Sequence, residues 1–229
     1  MLYIVPTPIG NLKDITLRAL EVLKEADGII CEDTRRTSLL LSHYQIKKPL
    51  LTLNDYNEAK ELPRIVSELL EGRTLVLVSD AGTPLIADPG YKLVRECLAQ
   101  NILVDSLPGP SSVITALTLS GLPPDKFMFL GYPPEKASHR IKLFQNILDR
   151  EHNENLKATY IMFISPHKLL RTLEDTQEIF GDAEVCLAHE LTKIHQSVET
   201  KLISKWLEKF NSPSGGPKGE YILLFRLKS

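Results

Sequence analysis

Short apolar runs alternate with amphipathic segments along the first half of the chain. A wholly apolar run of this length fits a strand buried on both faces of a parallel sheet. After the first run, Thr16 stands at a helix N-cap position, and Leu17, Leu20 and Leu23 recur at helical spacing. The apolar runs occupy residues 2–5, 28–31, 50–53 and 75–78, and a further strand-like run at 102–107 includes Asp105 and Ser106. This alternation predicts a parallel sheet with right-handed helical crossovers.

The second half follows the same alternation with shorter separations between some strands. Strand-like runs lie at 127–130, 159–164, 185–188 and 221–227, and helical patterns surround them. Because two of these strands are close in sequence, antiparallel pairing is possible, and we expect a mixed sheet. The pattern as a whole predicts an α/β protein of two α/β domains, an N-terminal domain at residues 1–112 and a C-terminal domain at 113–229.

The loop after the fourth apolar run is the first place to look for a site. Residues 79–90 contain Gly82, Pro84, Pro89 and Gly90, which rule out a regular element there. Ordinary strand-to-helix connections are shorter, although an ordinary connection remains the alternative. Ligands of open α/β sheets bind at the carboxyl ends of the strands, so this position favours a functional loop.

Other loops leave the predicted strand ends and carry most of the candidate chemistry. They lie at 7–11, 32–35, 108–112, 165–167, 189–193 and 217–220. If these loops converge, they form a cofactor cleft between the two domains, lined by backbone groups and a few charges. The charged run at 32–36 has two readings of equal weight, a solvated corner or a polar wall of that cleft.

Composition limits the classes of partner and compartment. The chain is 43% hydrophobic and 24% charged, with a net charge of −2, so a nucleic acid would have to be held by a local basic patch. Cys31, Cys97 and Cys186 are far apart and form no metal-binding pattern, so we predict no metal site. No secretory signal and no apolar run of ~18 residues occurs, which predicts a cytoplasmic protein with no membrane contact.

Several familiar active sites do not fit the sequence. No GxGxxG follows the first run, which argues against a nicotinamide-binding domain. His189-Glu190 begins like an HExxH zinc site, but Lys193 occupies the fifth position. Ser165 lacks the flanking glycines of a nucleophile elbow.

Seven ordered sequence blocks resemble the tetrapyrrole methylase superfamily, and within it the branch of 16S rRNA ribose 2'-O-methyltransferases. The resemblance covers essentially the whole chain. The blocks are LYIVPTPIGNLKDITLRAL at 2–20, CEDTRRT at 31–37, SDAGTPLIADPGY at 79–91, PGPSS at 108–112, SPHKLL at 165–170, HELTK at 189–193 and KGE at 218–220. The precorrin and porphyrin branches open with a GxGPGD-like loop, whereas this chain has Thr7-Pro8-Ile9-Gly10-Asn11, which argues against a tetrapyrrole substrate.

The resemblance implies S-adenosyl-L-methionine as cofactor, a cytidine ribose in the decoding region of 16S rRNA as substrate, within the small ribosomal subunit, and a homodimer. It also implies which positions contact the cofactor, many of them through the main chain. These are Pro8, Asp80, Ala81, Gly82, Thr83, Ile86, Ser112, Val113, Ile164, Ala188 and Gly219. For Ile86, Val113 and Ile164, plain core packing is the alternative.

Methyl transfer to a ribose hydroxyl requires alignment above all, together with a base or a cation near the emerging alkoxide. Our catalytic candidates are Lys193, Glu190, Glu32 and Asp33. The candidate contacts to RNA phosphates are Arg35, Arg36, Lys136, Arg140, Lys168 and Arg171. No aromatic platform for stacked bases is evident in the sequence. Two alternatives stay open: a methyltransferase of the same fold that acts on a small molecule or a protein, and a non-catalytic RNA-binding module.

Overall fold

The structure is a computed structural model that describes residues 1–154, 157–212 and 216–227. The chain divides into two compact units, Met1–Ser111 and Ser112–Ser229. Each unit is built around one five-stranded sheet with helices packed against it, which confirms the predicted α/β class.

The sheet of the first unit is entirely parallel. Its strands are β1 (Leu2–Ile4), β2 (Gly28–Cys31), β3 (Leu50–Thr52), β4 (Leu75–Leu77) and β5 (Val104–Ser106), in the spatial order β3-β2-β4-β1-β5. The connecting helices are α1 (Leu17–Glu25), α2 (Thr34–His43), α3 (Glu58–Leu70) and α4 (Tyr91–Ala99), and a short 3-10 helix spans Leu12–Asp14. All five carboxyl ends therefore lie at the same edge.

The core of the first unit explains why its central strands β2 and β4 carry no polar side chain. Successive side chains of a strand point to opposite faces. Leu75 and Leu77 of β4 pack in one cluster with Ile65 of α3, whereas Val76 packs in a second cluster with Leu23 of α1. Both faces of the sheet are thus buried, as the runs without polar positions predict.

The sheet of the second unit is mixed. Its strands are β6 (Phe127–Phe129), β7 (Thr159–Ile164), β8 (Glu184–His189), β9 (Ser197–Leu202) and β10 (Tyr221–Phe225), in the order β6-β7-β10-β8-β9. Only β6 and β7 pair in parallel, and the remaining neighbours are antiparallel. The helices are α5 (Ser112–Leu119), α6 (Ala137–Glu154), α7 (Pro166–Phe180) and α8 (Ile203–Asn211).

The largest apolar cluster of the second unit lies on one face of its sheet, although Ile161, Cys186 and Leu224 are buried on the other face. Tyr160 and Met162 of β7 pack with Phe144 of α6 and Trp206 of α8. Phe163, which alternates with them along β7, points to the opposite face. None of the helices in the described ranges is long and apolar enough to cross a membrane.

Candidate functional site

Four loops of the first unit meet at the carboxyl edge of its sheet. The central contact is an antiparallel bridge in which Thr7 N donates to Gly82 O and Gly82 N donates to Thr7 O, both at 2.9 Å. The Thr7 hydroxyl donates to Ser79 O at 3.1 Å, and the Thr83 hydroxyl donates to Pro110 O at 2.9 Å. The loops after β1, β4 and β5 are therefore joined by direct hydrogen bonds.

The loop at 79–90 contains several residues with positive φ, which a simple connection would not need. Gly82 has φ of +83°, and a Cβ there would lie 3.2 Å from Ile9 Cγ2 and 3.9 Å from Pro110 O. Leu85 and Ala87 also lie in the left-handed region, at φ of 73° and 66°. Left-handed conformations of residues other than glycine cluster at ligand sites, where the surroundings hold them in place.

Asp33 and Asp80 connect this loop to the end of β2. Asp33 is the N-cap of α2, and its carboxylate accepts from Arg35 N at 2.8 Å. Its own N–H donates to Asp80 Oδ1 at 3.3 Å, and Arg36 Nε lies 3.4 Å from Asp80 Oδ2. Hydrogen bonds from Arg35 lower the pKa of Asp33 to about 2, so this carboxylate is a weak base. The charged run after β2 therefore begins a helix, which sequence reasoning did not identify.

Two other carboxyl groups at the same edge have raised pKa values. Burial raises the pKa of Asp88 to about 6, with a smaller contribution from Glu32 and Asp80, although a hydrogen bond from Ser79 opposes the shift. Burial also raises the pKa of Glu32, and the negative charges of Asp80 and Asp55 add to the effect. The sequence made Glu32 a catalytic candidate but not Asp88, whose burial no local pattern reveals.

A second cluster lies where β8 ends in the second unit, and Lys193 is at its centre. Lys193 Nζ lies 3.1 Å from Glu190 Oε1 and 2.9 Å from Glu220 Oε2. Glu190 Oε1 also accepts from Glu220 N at 2.8 Å. Burial alone would lower the pKa of Lys193, but its two carboxylate partners raise it, so the side chain is a cation.

Backbone geometry holds this cluster in place. Glu190 has φ of 48° and Gly219 has φ of 79°. A Cβ on Gly219 would lie 2.7 Å from Glu190 Oε1 and 2.8 Å from His189 Nε2, so only glycine fits there. His189 Nε2 lies 2.8 Å from Lys218 O, and since a carbonyl only accepts, this nitrogen carries the hydrogen.

The remaining predicted cofactor positions differ in exposure. Ile86 is partly exposed on the loop at 79–90, and Pro8 is buried at the end of β1. Val113, Ile164 and Ala188 are buried in the second unit, and Ser112 is the first residue of α5. In the second sheet, Ile164 and Ala188 pair with Tyr221 and Ile222, adjacent residues of β10, so the sheet brings these two positions to one end.

Five of the six predicted RNA contacts are accessible, and one is not. Arg35, Arg36, Lys136 and Arg171 are exposed, and Lys168 is partly exposed in an ion pair with Glu135. Arg140 is only 3% exposed. Its guanidinium pairs with Asp175 and donates to Pro134 O and Glu135 O. The prediction for Arg140 is wrong, because a buried guanidinium with these partners cannot reach an RNA phosphate.

The family model of the Tetrapyrrole (Corrin/Porphyrin) Methylases matches residues 1–205. The chain is 46% identical over 223 residues to a Ribosomal RNA small subunit methyltransferase I from Rickettsia prowazekii, and the match covers 97% of this chain and 77% of the relative. It is also 46% identical over 219 residues to the protein of the same name from Thermotoga maritima, with 96% and 95% covered.

A solved structure confirms the fold independently of close sequence similarity. The crystal structure of uroporphyrin-III-C-methyltransferase from Thermus thermophilus superposes with a TM-score of 0.65 at 18% identity, covering 97% of this chain and 93% of that one. At this identity the likeness concerns the fold alone. It agrees with the two α/β units described above.

Proposed function

The chain belongs to the tetrapyrrole methylase family, and on that premise we propose that it is an S-adenosylmethionine-dependent methyltransferase of 16S rRNA. The observation that carries this proposal is the identity of 46% along nearly the whole chain to proteins named Ribosomal RNA small subunit methyltransferase I. Within that activity, we propose a cytidine ribose 2'-hydroxyl as the acceptor and the small ribosomal subunit as the substrate particle. The cytoplasm, where ribosomes are assembled, is the matching compartment.

The strand-end loops of the first unit fit the cofactor. S-adenosylmethionine, when bound, supplies a methyl group that its sulfonium already activates for displacement. We propose that residues 80–83 and Pro8 hold it, mostly through backbone groups. Gly82 supports this assignment, because φ of +83° and a Cβ position only 3.2 Å from Ile9 Cγ2 require a residue without a side chain in this loop. The Thr7–Gly82 bridge fixes these groups before any ligand arrives, so binding does not have to order the loop. Ile86 is a further proposed contact in the first unit. The proposed contacts in the second unit are Ser112, Val113, Ile164, Ala188 and Gly219.

We assign Lys193 the role of cation beside the ribose oxygen. A neutral 2'-hydroxyl is a poor nucleophile, and a fixed ammonium stabilises the negative charge that develops on it. The carboxylates of Glu190 and Glu220 raise the pKa of Lys193, so it acts as a charge and not as a base. Glu190 is then a positioning residue, since its Oε1 holds both Lys193 and the backbone of Glu220.

The carboxylates of the first unit divide into two roles. Asp33, with its low pKa, caps α2 and orients Arg35, so we assign it a structural role. Glu32 keeps a raised pKa at the carboxyl edge of the sheet, which makes it the stronger proton acceptor of the two. We therefore retain Glu32 and not Asp33 as a catalytic candidate.

The proposed RNA contacts are Arg35, Arg36, Lys136, Lys168 and Arg171. The net charge of −2 excludes a general attraction to RNA, so these local cations have to supply the contacts to phosphate. We also propose a homodimer, supported by large apolar side chains that are exposed in the single chain. Leu17, Leu39 and Ile194 are 80%, 74% and 96% exposed.

The activity can be tested with 30S subunits from cells that lack this protein. Purified protein and S-adenosylmethionine labelled with tritium in the methyl group should transfer tritium to 16S rRNA, and mass mapping should place it on one ribose. Label appearing in a metabolite or a protein instead would favour a methyltransferase with another substrate. No binding of S-adenosylmethionine in calorimetry would favour a non-catalytic RNA-binding module.

The cofactor site has a matched pair of variants. Gly82→Ala adds a Cβ at φ of +83° beside Ile9, so we expect affinity for S-adenosylmethionine to fall roughly tenfold or more. Gly72→Ala is the control, because Gly72 has φ of +91° and nothing lies within 4 Å of the added Cβ. Equal affinity in both variants would contradict the assignment of Gly82.

The role of Lys193 has its own control. Lys193→Met should lower kcat by about 10²-fold or more without changing the affinity for S-adenosylmethionine. Lys205→Met should leave kcat unchanged, because Lys205 also pairs with a carboxylate three residues away but is exposed on α8. A wild-type kcat in Lys193→Met would remove this residue from the mechanism.

A further inference from the structure

Three aromatic side chains form a cluster at the β6 edge of the second sheet, on the face opposite the apolar cluster of Tyr160, Met162 and Phe144. The ring centroids of Phe129 and Phe163 are 4.8 Å apart, and those of Tyr132 and Phe163 are 5.5 Å apart, both at edge-to-face angles. Tyr132 is 60% exposed, whereas its two partners are half-buried. One aromatic ring is therefore presented to solvent on a base of two others.

The position follows from the parallel pairing of β6 and β7. Because these two strands run in the same direction, the residues that leave their carboxyl ends are neighbours. Phe163 N donates to Gly131 O at 3.0 Å, directly before Tyr132. The strand register thus fixes where the exposed ring stands.

The loop that carries Tyr132 is held at its far end as well. Arg140 donates to the carbonyls of Pro134 and Glu135 at 3.0 and 3.2 Å. The Glu135 carboxylate accepts from Lys168 Nζ at 2.7 Å. The buried guanidinium therefore makes this loop rigid, and a rigid aromatic side chain loses little entropy when it binds a partner.

Three basic side chains lie on the loop that carries Tyr132 and on α7, which follows β7 directly. Lys136 follows Tyr132 by four residues on the same loop, and Lys168 is tied to that loop through Glu135. Arg171 lies one helical turn beyond Lys168 on α7. The acidic groups on these elements are Glu135, which pairs with Lys168, Asp175, which pairs with Arg140, and Glu174 and Glu178 on α7. Lys136 and Arg171 are exposed cations on the loop that carries Tyr132 and on the helix that follows β7.

We propose that Tyr132, supported by Phe163, is a stacking site for an unpaired base of the RNA substrate. Proteins read single-stranded RNA by stacking its bases on aromatic side chains while nearby cations hold the phosphates. The combination of a half-exposed tyrosine with Lys136, Lys168 and Arg171 matches this chemistry. This inference rests on the proposed function and names how its RNA substrate is recognised.

The test compares three substitutions at Tyr132 in the full-length protein. With 30S subunits that lack the modification, Tyr132→Ala should raise KM about 5- to 150-fold, the effect of losing one stacked base. The value of kcat at saturation and the affinity for S-adenosylmethionine should not change. Tyr132→Phe and Tyr132→Trp should keep the wild-type KM, since both retain a ring. Tyr56→Ala is the control, because Tyr56 is fully exposed on the first unit.

Two further readouts separate stacking from other roles. A short single-stranded RNA containing 2-aminopurine should lose fluorescence on binding the wild-type protein but not Tyr132→Ala. Lys136→Gln should reduce the slope of log affinity against log salt concentration by about 0.7, the loss of one phosphate contact to a single strand, whereas Tyr132→Ala should leave the slope unchanged.

Three results would overturn the proposal. A wild-type KM in Tyr132→Ala would show that the ring makes no contact with the substrate. Conversion of a dimer to a monomer by Tyr132→Ala would identify the surface as a contact between subunits. A loss of affinity for S-adenosylmethionine would place the ring at the cofactor. If the wild-type protein itself transfers no methyl group to 30S subunits, the proposed function fails, and that result is distinct from all three.

Discussion

The buried ion pair of Arg140 and Asp175 allows a test between two roles for Arg140, the RNA contact predicted from the sequence and the stabilising role seen in the structure. The sequence places Arg140 on a basic helix and suggests an RNA contact, whereas the structure buries it with Asp175 and two backbone carbonyls. Arg140→Met leaves the Asp175 carboxylate, itself largely buried, without its charge partner. Removing one member of a buried ion pair costs about 3–5 kcal/mol. That is a large fraction of the 5–15 kcal/mol typical of a folded domain.

The single tryptophan makes the measurement specific to the second unit. Trp206 is 3% exposed in the core of that unit, so its fluorescence reports unfolding there and not in the first unit. Urea unfolding followed at Trp206 should give a loss of about 3–5 kcal/mol for Arg140→Met. Arg171→Met, which changes an exposed arginine on α7, is the control and should change the free energy of unfolding by less than about 0.5 kcal/mol.

A double-mutant cycle completes the test. Replacing both Arg140 and Asp175 by apolar residues should cost less than the sum of the single changes, because no unpaired charge is left buried. If Arg140→Met instead keeps wild-type stability and raises KM for 30S subunits, the structural role of Arg140 is wrong and the RNA contact predicted from the sequence is supported. A loss of stability of about 3–5 kcal/mol confirms the structural role whatever the effect on KM, because Arg140 also holds the loop that carries Tyr132.

Two further predictions concern the two clusters of the candidate site. The pKa of Asp88 is about 6 in the folded protein against an ordinary value of 3.8. Between these two pH values the folded state binds more protons than the unfolded state. The free energy of unfolding should therefore fall as the pH rises from about 4 to about 6. Asp88→Asn should remove this pH-dependent loss of stability and raise the free energy of unfolding at pH 8 by about 1–2 kcal/mol, after allowance for solvent screening. Urea unfolding followed by circular dichroism measures it. The same loss of stability in the variant would show that Asp88 is not its cause. Gly219→Ala should displace Glu190 and thereby lower kcat. Gly181→Ala is the control and should leave kcat unchanged, because Gly181 has a similar φ of +71° and nothing lies within 4 Å of the added Cβ. Equal kcat values in the two variants would show that the Lys193 cluster tolerates the added carbon.

Much of the fold follows from local pattern. The predicted runs at 28–31 and 159–164 coincide with β2 and β7, and Thr16 caps α1 as expected, accepting from Ala19 N at 3.0 Å. In these segments burial on both faces or a single capping side chain decides the structure, and both leave a clear signature in the sequence.

Two elements were not predicted, for identifiable reasons. Helix α2 begins within the charged run after β2, so its N-terminus resembles a polar loop until Asp33 is recognised as the N-cap. Strand β9, at Ser197–Leu202, is an edge strand in which polar residues outnumber apolar ones, and only its pairing with β8 defines it. Edge strands depend on a partner more than on their own hydrophobicity.

The site was predictable where its residues are close in sequence and not where they are distant. Lys193 and Glu190 share one block, and their contact could be expected from a spacing of three residues. The burial of Arg140 depends on Asp175, 35 residues later, and the exposed ring of Tyr132 rests on Phe163, from a different strand. Contacts of this kind arise from the sheet register, which no local window of sequence contains.

The bridge between Thr7 and Gly82 also has a consequence for how the chain acquires its structure. It joins residues 75 positions apart, and it lies directly beyond β1 and β4, which pair in parallel. Closing so long a loop early is entropically costly, so these two hydrogen bonds should form only after the central strands have docked. The amide of Gly82 should therefore become protected late in pulse-labelled hydrogen exchange during refolding, and the loop at 79–90 should reach its final shape only when the first sheet is complete.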